Sequence, residues 1–382
     1  MLKKRRAVAR DERSARTKDK RLCLMDDVFD KTKRSRRRVK IFQFSLLALL
    51  VLAVVALYIP LPYYVFSPGL AEAVAPIVRV QGGHRDERGK FMLTSVYVTY
   101  ADNIYDFIGA LMIPHHQVLS VKQVSGGLPN SLYNQIEEYM MSQAKIDAEV
   151  AAFRYLHKPY RLANQGVTVI ALDEKENPAS PLLPGDVLLS VNRVRIRTVV
   201  GLLDVLARLR PGVSISVDVL RSGKVRHLQM HTVSLSEGAA KPHTGLGIYP
   251  AQETNLITAN PVSIKTGQLD GPSAGLMFSL EIINQLAPTD LTRGYKIAGT
   301  GTINSNGVVG QIGGVTHKVI AAVNAGASYM FVPADRAPGD TNEAHALAEV
   351  KKDHLNITIV PVSTLAQAVS FLEKLPPKKA TS

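Results

Sequence analysis

Residues 265–286 read KTGQLDGPSAGLMFSLEIINQL. After a polar, glycine-containing stretch, Leu276, Met277, Leu280, Ile283 and Leu286 recur at helical spacing, so the segment predicts a loop running into an amphipathic helix. Ser273 then lies at or near the helix N-terminus, where backbone N–H groups lack intrahelical acceptors and the positive dipole end is exposed. Those features hold a developing oxyanion. Gly271 and Gly275 on either side let a substrate backbone approach closely. A serine here also serves as an ordinary N-cap in a turn, and this segment alone does not separate the two roles.

A second segment bears on the choice. Gly313-Gly314-Val315-Thr316-His317-Lys318 leads into Val319-Ile320-Ala321-Ala322-Val323-Asn324-Ala325-Gly326. This predicts a short helix ended by Gly326, followed by an apolar strand, Tyr329 to Val332, closing on Pro333. Lys318 is a charged side chain set in an apolar helix, whereas Arg293 and Lys296 fall in a polar turn. A desolvated lysine has a depressed pKa and acts as a general base. The competing assignment is an exposed helix lysine.

Taken together, the two segments resemble the proteolytic domain of the Lon family. DGPSAG, residues 270–275, matches the nucleophile motif of that family. Thr300-Gly301-Thr302-Ile303, Gly307 through Val315, Lys318, Ala325-Gly326 and Val332-Pro333 match its second half, and the spacing from Ser273 to Lys318 fits. The resemblance covers about residues 235–372. It implies Ser273 as nucleophile and Lys318 as its base, with Thr300 a supporting partner near the lysine and Asp270 a member of the motif. Lon proteins carry an ATPase module, but this sequence has no G-x-x-x-x-G-K-[ST] loop. It is closer to the Lon-like proteases that join a membrane anchor, a PDZ domain and a Lon-type catalytic domain. That likeness implies a serine endopeptidase that needs no ATP and cuts peptides or unfolded protein segments.

Upstream, Phe91 to Tyr100 (FMLTSVYVTY) predicts a strand that could complete the protease sheet, and Ser131 to Tyr155 a helix. Residues 160–232 alternate short apolar runs with turns. Val167 to Leu172 and Val187 to Asn192 flank a Pro184-Gly185-Asp186 step, Thr198 to Leu209 is amphipathic, and Val213 to Leu220 alternates as a strand. The pattern resembles a PDZ domain. If so, Gly166, Val167, Thr168 and Val169 form the edge that receives an extended peptide by strand addition. A β-module serving only as a spacer is the alternative.

At the other end, residues 41–59 read IFQFSLLALLVLAVVALYI, 19 residues without a charge before Pro60. At 1.5 Å per residue this is roughly 28 Å of helix, near the thickness of a bilayer core. The formal net charge of +14 is concentrated in residues 1–40, which hold 17 Lys+Arg against 6 Asp+Glu. The positive-inside rule then places residues 1–40 in the cytoplasm and the rest outside a cell membrane, a single-pass arrangement. Ala71-Glu72-Ala73 leaves a cleaved leader as the other possibility. The expected fold class is thus α+β and multi-domain. Its parts are a basic tail (1–40), a transmembrane helix (41–60), an N-terminal segment (61–120), a PDZ-like domain with a preceding helix (121–232) and a Lon-type α/β proteolytic domain (233–375).

Other classes fit less well. The near-neutral balance after residue 40, 29 Lys+Arg against 26 Asp+Glu, argues against a nucleic-acid partner. A single cysteine, Cys23, removes disulfides and Cys-based metal sites, no H-E-x-x-H is present, and no metal or cofactor is expected. Gly271-x-Ser273-x-Gly275 also satisfies G-x-S-x-G, but a polar loop precedes it where an α/β-hydrolase needs a strand. A catalytically silent membrane-anchored scaffold that binds protein tails is the reading from another class. The partners expected are a peptide or unfolded protein and a membrane; oligomeric state stays open.

Overall fold

The structure is a computed structural model that describes residues 40–59, 61–84, 88–101, 103–173, 175–235 and 243–379. The basic tail, apart from Lys40, and Cys23 lie outside the described residues. The chain divides into two compact units, residues 1–62 with 100–112 and residues 63–99 with 113–382.

In the first unit the apolar run forms a helix over residues 40–56, and Tyr105 Oη of the helix Ile104–Met112 donates to Ala53 O at 2.8 Å. The expected membrane span is not found: no helix among the described residues is long and apolar enough to cross a membrane. The described residues of this helix number 17, about 25 Å, and one of them is Lys40. Its last turn tightens, with Leu57 N bonded to Val54 O and Tyr58 N to Val55 O, shortly before Pro60 in the sequence. A residue preceding proline is driven out of the helical region. The single-pass arrangement and the localisation drawn from it are therefore withdrawn.

The second unit contains, among the described residues, two six-stranded sheets and three two-stranded ones. The first six-stranded sheet orders its strands Thr358–Val362, Tyr329–Pro333, Lys296–Gly299, Lys90–Tyr100, Tyr63–Ala73 and Gln117–Ser120. The first four are parallel neighbours, and the last pair is antiparallel. Parallel strands need crossovers, and helices Val315–Asn324 and Asn342–Lys352 supply two of them. This makes the unit a mixed α/β structure rather than the α+β arrangement expected. Helix Gly275–Leu286 is buried all round except at Leu286. One side joins Phe91, Leu93, Ile297 and Phe331 of the sheet in a common core, and helix Asn130–Tyr155 contributes Met141, Ala148, Ala151, Ala152 and Phe153 to the same core. Its polar groups are satisfied internally: Ser279 Oγ donates to Ala148 O, and Gln285 Nε2 donates to Glu281 Oε1 and Val78 O.

The second six-stranded sheet runs Ile248–Thr258, Tyr160–Leu172, Val187–Val191, Ser214–Arg221 and Lys224–His231, antiparallel throughout. It closes over its own core of Val167, Val169, Leu188, Val191, Leu202, Ile215 and Val217. Asp186 of the Pro-Gly-Asp step is 1% exposed and held by Arg221, Nε to Oδ1 and NH2 to Oδ2, both at 2.7 Å. In sequence the module is interposed between parts of the larger core. Helix Asn130–Tyr155 contributes to the larger core and also touches the module, where Tyr139 Oη and Gln143 Nε2 donate to Gln252 O; strand Ile248–Thr258 pairs within the module's sheet.

Candidate active site

Two chain turns bring Ser273 and Lys318 together. Pro272–Ala274 forms a single 3₁₀ turn that runs directly into helix Gly275–Leu286, with Gly271 before it at φ 82°. The left-handed backbone at Gly271 is open to glycine at no steric cost. A Cβ there would also lie 2.8 Å from Glu137 Oε2. Gly301 N donates to Ser273 O at 2.8 Å, and Leu276 N to Gly301 O at 3.1 Å. The serine loop is thereby tied to the end of strand Lys296–Gly299. Lys318 projects from the first turns of helix Val315–Asn324, whose N-cap, Gly314, is left-handed at φ 67°.

Lys318 Nζ donates to Ser273 Oγ at 2.7 Å and to Thr300 Oγ1 at 3.2 Å. Thr300, wholly buried, donates from Oγ1 to Ser273 O at 3.1 Å. The threonine thus holds both the lysine and the serine backbone. Lys318 is 4% exposed. Burial pushes its ammonium down from the usual 10.5 to about 7, and the Glu137 carboxylate opposes that shift. At neutral pH an appreciable fraction of the amine is free to accept a proton, while Ser273 remains partly accessible. The first turn of the helix leaves amide N–H groups without intrahelical acceptors beside Ser273.

Asp270 is exposed and makes no hydrogen bond to the pair; it acts on Glu137 and Lys145 through its charge alone. His317 points elsewhere, with its ring 6.4 Å from that of Phe66, and burial lowers its pKa. Glu137 was not anticipated. It projects from helix Asn130–Tyr155, its carboxyl is pushed up chiefly by burial, and Tyr133 hydrogen-bonds to it. Burial and the same carboxylate push Tyr133 up to about 12. The sequence signal was limited to spacing: Glu137 lies one turn before Met141 and one turn after Tyr133, so the three share a helix face, and the structure buries Met141.

Gly166 to Val169, the expected peptide edge, lie in a strand that has neighbours on both sides. Val167 and Thr168 pair with Gln252 and Ala251 on one side and with Leu188 and Val187 on the other. Val169 N donates to Asp186 O, and Val169 O accepts from Gly185 N. Gly166 is packed so closely that a Cβ would meet Leu188 O at 2.6 Å. This is an interior strand, with no row of free amides for an added peptide. The sheet's edge at Ile248–Thr258 carries Pro250, which lacks a donor, and Gln252 O, which accepts from Tyr139 Oη and Gln143 Nε2. Proline and side-chain cover blunt a strand edge.

Comparison with known proteins bears on the same region. Residues 263–372 match the family described as Lon protease (S16) C-terminal proteolytic domain. The Lon protease of Neorickettsia sennetsu is 34% identical over 103 residues, 27% of this chain and 11% of the relative. The Lon protease of Metamycoplasma arthritidis is 40% identical over 105 residues, 28% and 12% respectively. The chain therefore spans about a tenth of the length of these curated relatives. Among solved structures, the PDZ domain of the SdrC-like protein from Listeria monocytogenes aligns with 22% of this chain and 86% of its own, at 16% identity and a TM-score of 0.21. The matched protease region contains both Ser273 and Lys318. Strands Tyr63–Ala73 and Lys90–Tyr100 and helix Asn130–Tyr155, which build the rest of the core, lie outside it.

Proposed function

We propose that this chain is a serine endopeptidase working through a Ser273–Lys318 dyad on peptides or unfolded protein segments, without ATP. The observation that carries the reading is the 2.7 Å approach of a buried lysine amine to a serine hydroxyl at a helix start. With the amine neutral, the same separation lets Ser273 Oγ–H donate to the Nζ lone pair. Ser273 Oγ attacks the scissile carbonyl carbon as its proton passes to Lys318 Nζ. The resulting oxyanion faces the amide N–H groups of the first helical turn. The Lys318 ammonium then gives its proton to the leaving amine. A water molecule repeats the two transfers at the acyl-serine and releases the product acid.

Thr300 keeps the amine aimed at Ser273 by accepting from Nζ. Glu137 sets the charge balance around the pair. Every group in these steps comes from this chain, and the sequence carries no nucleotide loop. The test is hydrolysis of an unfolded protein and a short reporter peptide by the purified, folded chain. Ser273→Ala and Lys318→Arg should each lose roughly 10²–10⁴-fold in kcat/KM, because arginine does not give up its proton in proteins. His317→Ala should keep most of its activity. Comparable activity in wild type and Lys318→Arg would overturn the dyad.

A further inference from the structure

On the far side of the lysine helix lies a cavity of about 530 Å³ with four imidazoles on its walls, His115, His116, His317 and His345, together with Glu349 and Lys352. Three groups distant in sequence converge there. His115 Nδ1 lies 3.3 Å from Glu349 Oε1 and 3.6 Å from Asp353 Oδ2. One ligand atom from each of the three residues can be chosen with all separations within 4.8 Å. At zinc bond lengths near 2.05 Å, two ligands of a tetrahedral ion sit about 3.3 Å apart. The two histidine–carboxylate separations are close to the edges of such a tetrahedron.

A second observation points to a cation. Asp353 Oδ2 is buried and has no hydrogen-bond partner among the described residues. The His115 nitrogen, at 3.6 Å, is too far away to serve. A buried carboxylate oxygen left unpaired is costly, and in native proteins it calls for an ion or water. Glu349 is 9% exposed; Lys352 Nζ lies 3.2 Å from Glu349 Oε1 and 3.9 Å from Asp353 Oδ1, on a side chain 65% exposed that a bound cation would displace toward solvent. His345, Glu349 and Asp353 are spaced four residues apart, so they share one face of helix Asn342–Lys352 and its C-cap.

We propose that His115, Glu349 and Asp353 form a binding site for zinc, with solvent completing the coordination. The mixed imidazole–carboxylate set suits a first-row divalent ion rather than magnesium or calcium, which prefer oxygen alone. The ion joins the segment before strand Gln117–Ser120 to helix Asn342–Lys352. That helix shares a core with the lysine helix through Ala346, Val315, Val319 and Ala322. The site is structural and separate from the dyad.

The experiment is zinc titration of the purified full chain after chelation, by competition with a chromogenic chelator and by thermal melting. One zinc per chain is expected, with a rise in melting temperature; millimolar magnesium should not displace it. Glu349→Gln and Asp353→Asn should each weaken binding at least tenfold, and His115→Ala likewise. Their metal-free melting should remain near that of the metal-free wild type, which separates loss of a ligand from loss of the fold. Ser273→Ala should bind zinc as wild type does. No uptake at micromolar zinc would overturn the proposal, as would an affinity unchanged in both His115→Ala and Glu349→Gln.

Discussion

Replacing Lys318 with methionine should abolish hydrolysis and yet stabilise the fold below neutral pH. The folded state holds this amine at about 7, against 10.5 for an ordinary lysine. Below pH 7 the group is charged in both states, and the full cost of burying an ammonium is present. A shift of this size corresponds to about 5 kcal/mol, an upper bound given the relaxation open to real proteins. Between pH 7 and 10.5 the unfolded chain binds more protons than the folded one, so stability rises with pH and the cost fades. Above 10.5 both states are neutral and the cost is gone. Methionine keeps the apolar stem but forfeits the hydrogen bonds to Ser273 and Thr300, about 1 kcal/mol each. The variant should therefore gain about 3 kcal/mol at pH 6 and lose about 2 kcal/mol near pH 10.5. Urea denaturation of both proteins at several pH values, with m-values compared to check that the same unit unfolds, measures this directly. A difference between the two proteins that does not change between pH 6 and 10 would refute the reasoning. It would mean that Lys318 titrates alike in both states and is no better a base than a surface lysine.

Two further predictions concern neighbouring residues. Glu137→Gln removes the carboxylate that raises the Lys318 pKa, so the rising limb of kcat/KM against pH should move to lower pH by a fraction of a unit or more; a limb moved upward would exclude that role. Val167→Pro should unfold the second sheet, because Val167 is fully buried and paired on both sides. The cost should be about 3 kcal/mol or more, read by limited proteolysis of residues 160–258. A module that stays folded and loses only peptide affinity would restore the edge that the strand pairing removes.

The candidate pair, Ser273 and Lys318, was legible because its parts are local. A glycine-flanked serine before a periodic helix and a lysine in an apolar helix can each be found by reading along the chain. Their approach is a matter of two loops closing at the ends of neighbouring parallel strands. Glu137 was harder to see. Its helix was predicted, but nothing along residues 131–155 says that this face turns toward Gly271 rather than toward the module that follows it. The module's strands were also legible by alternation, whereas their order was not. Gly166 to Val169 reads as an edge until Ile248–Thr258 returns from 80 residues later to cover it.

Composition and periodicity indicated several helical and extended segments and the turns between them, while the singling out of Ser273 and Lys318 rested on the resemblance of their two segments to a known family. Such patterns report the preferences of neighbouring residues, and those preferences act over one or two turns of chain. Only the tertiary structure decided which strands are interior, that helix Gly275–Leu286 is enclosed on both faces, that the apolar helix stops at residue 56, and that His115 meets Glu349 and Asp353. Each of those depends on groups far apart in sequence. Their meeting is set by how two sheets and their crossovers pack, and packing a core leaves no mark on the local pattern beyond the demand that some face be buried.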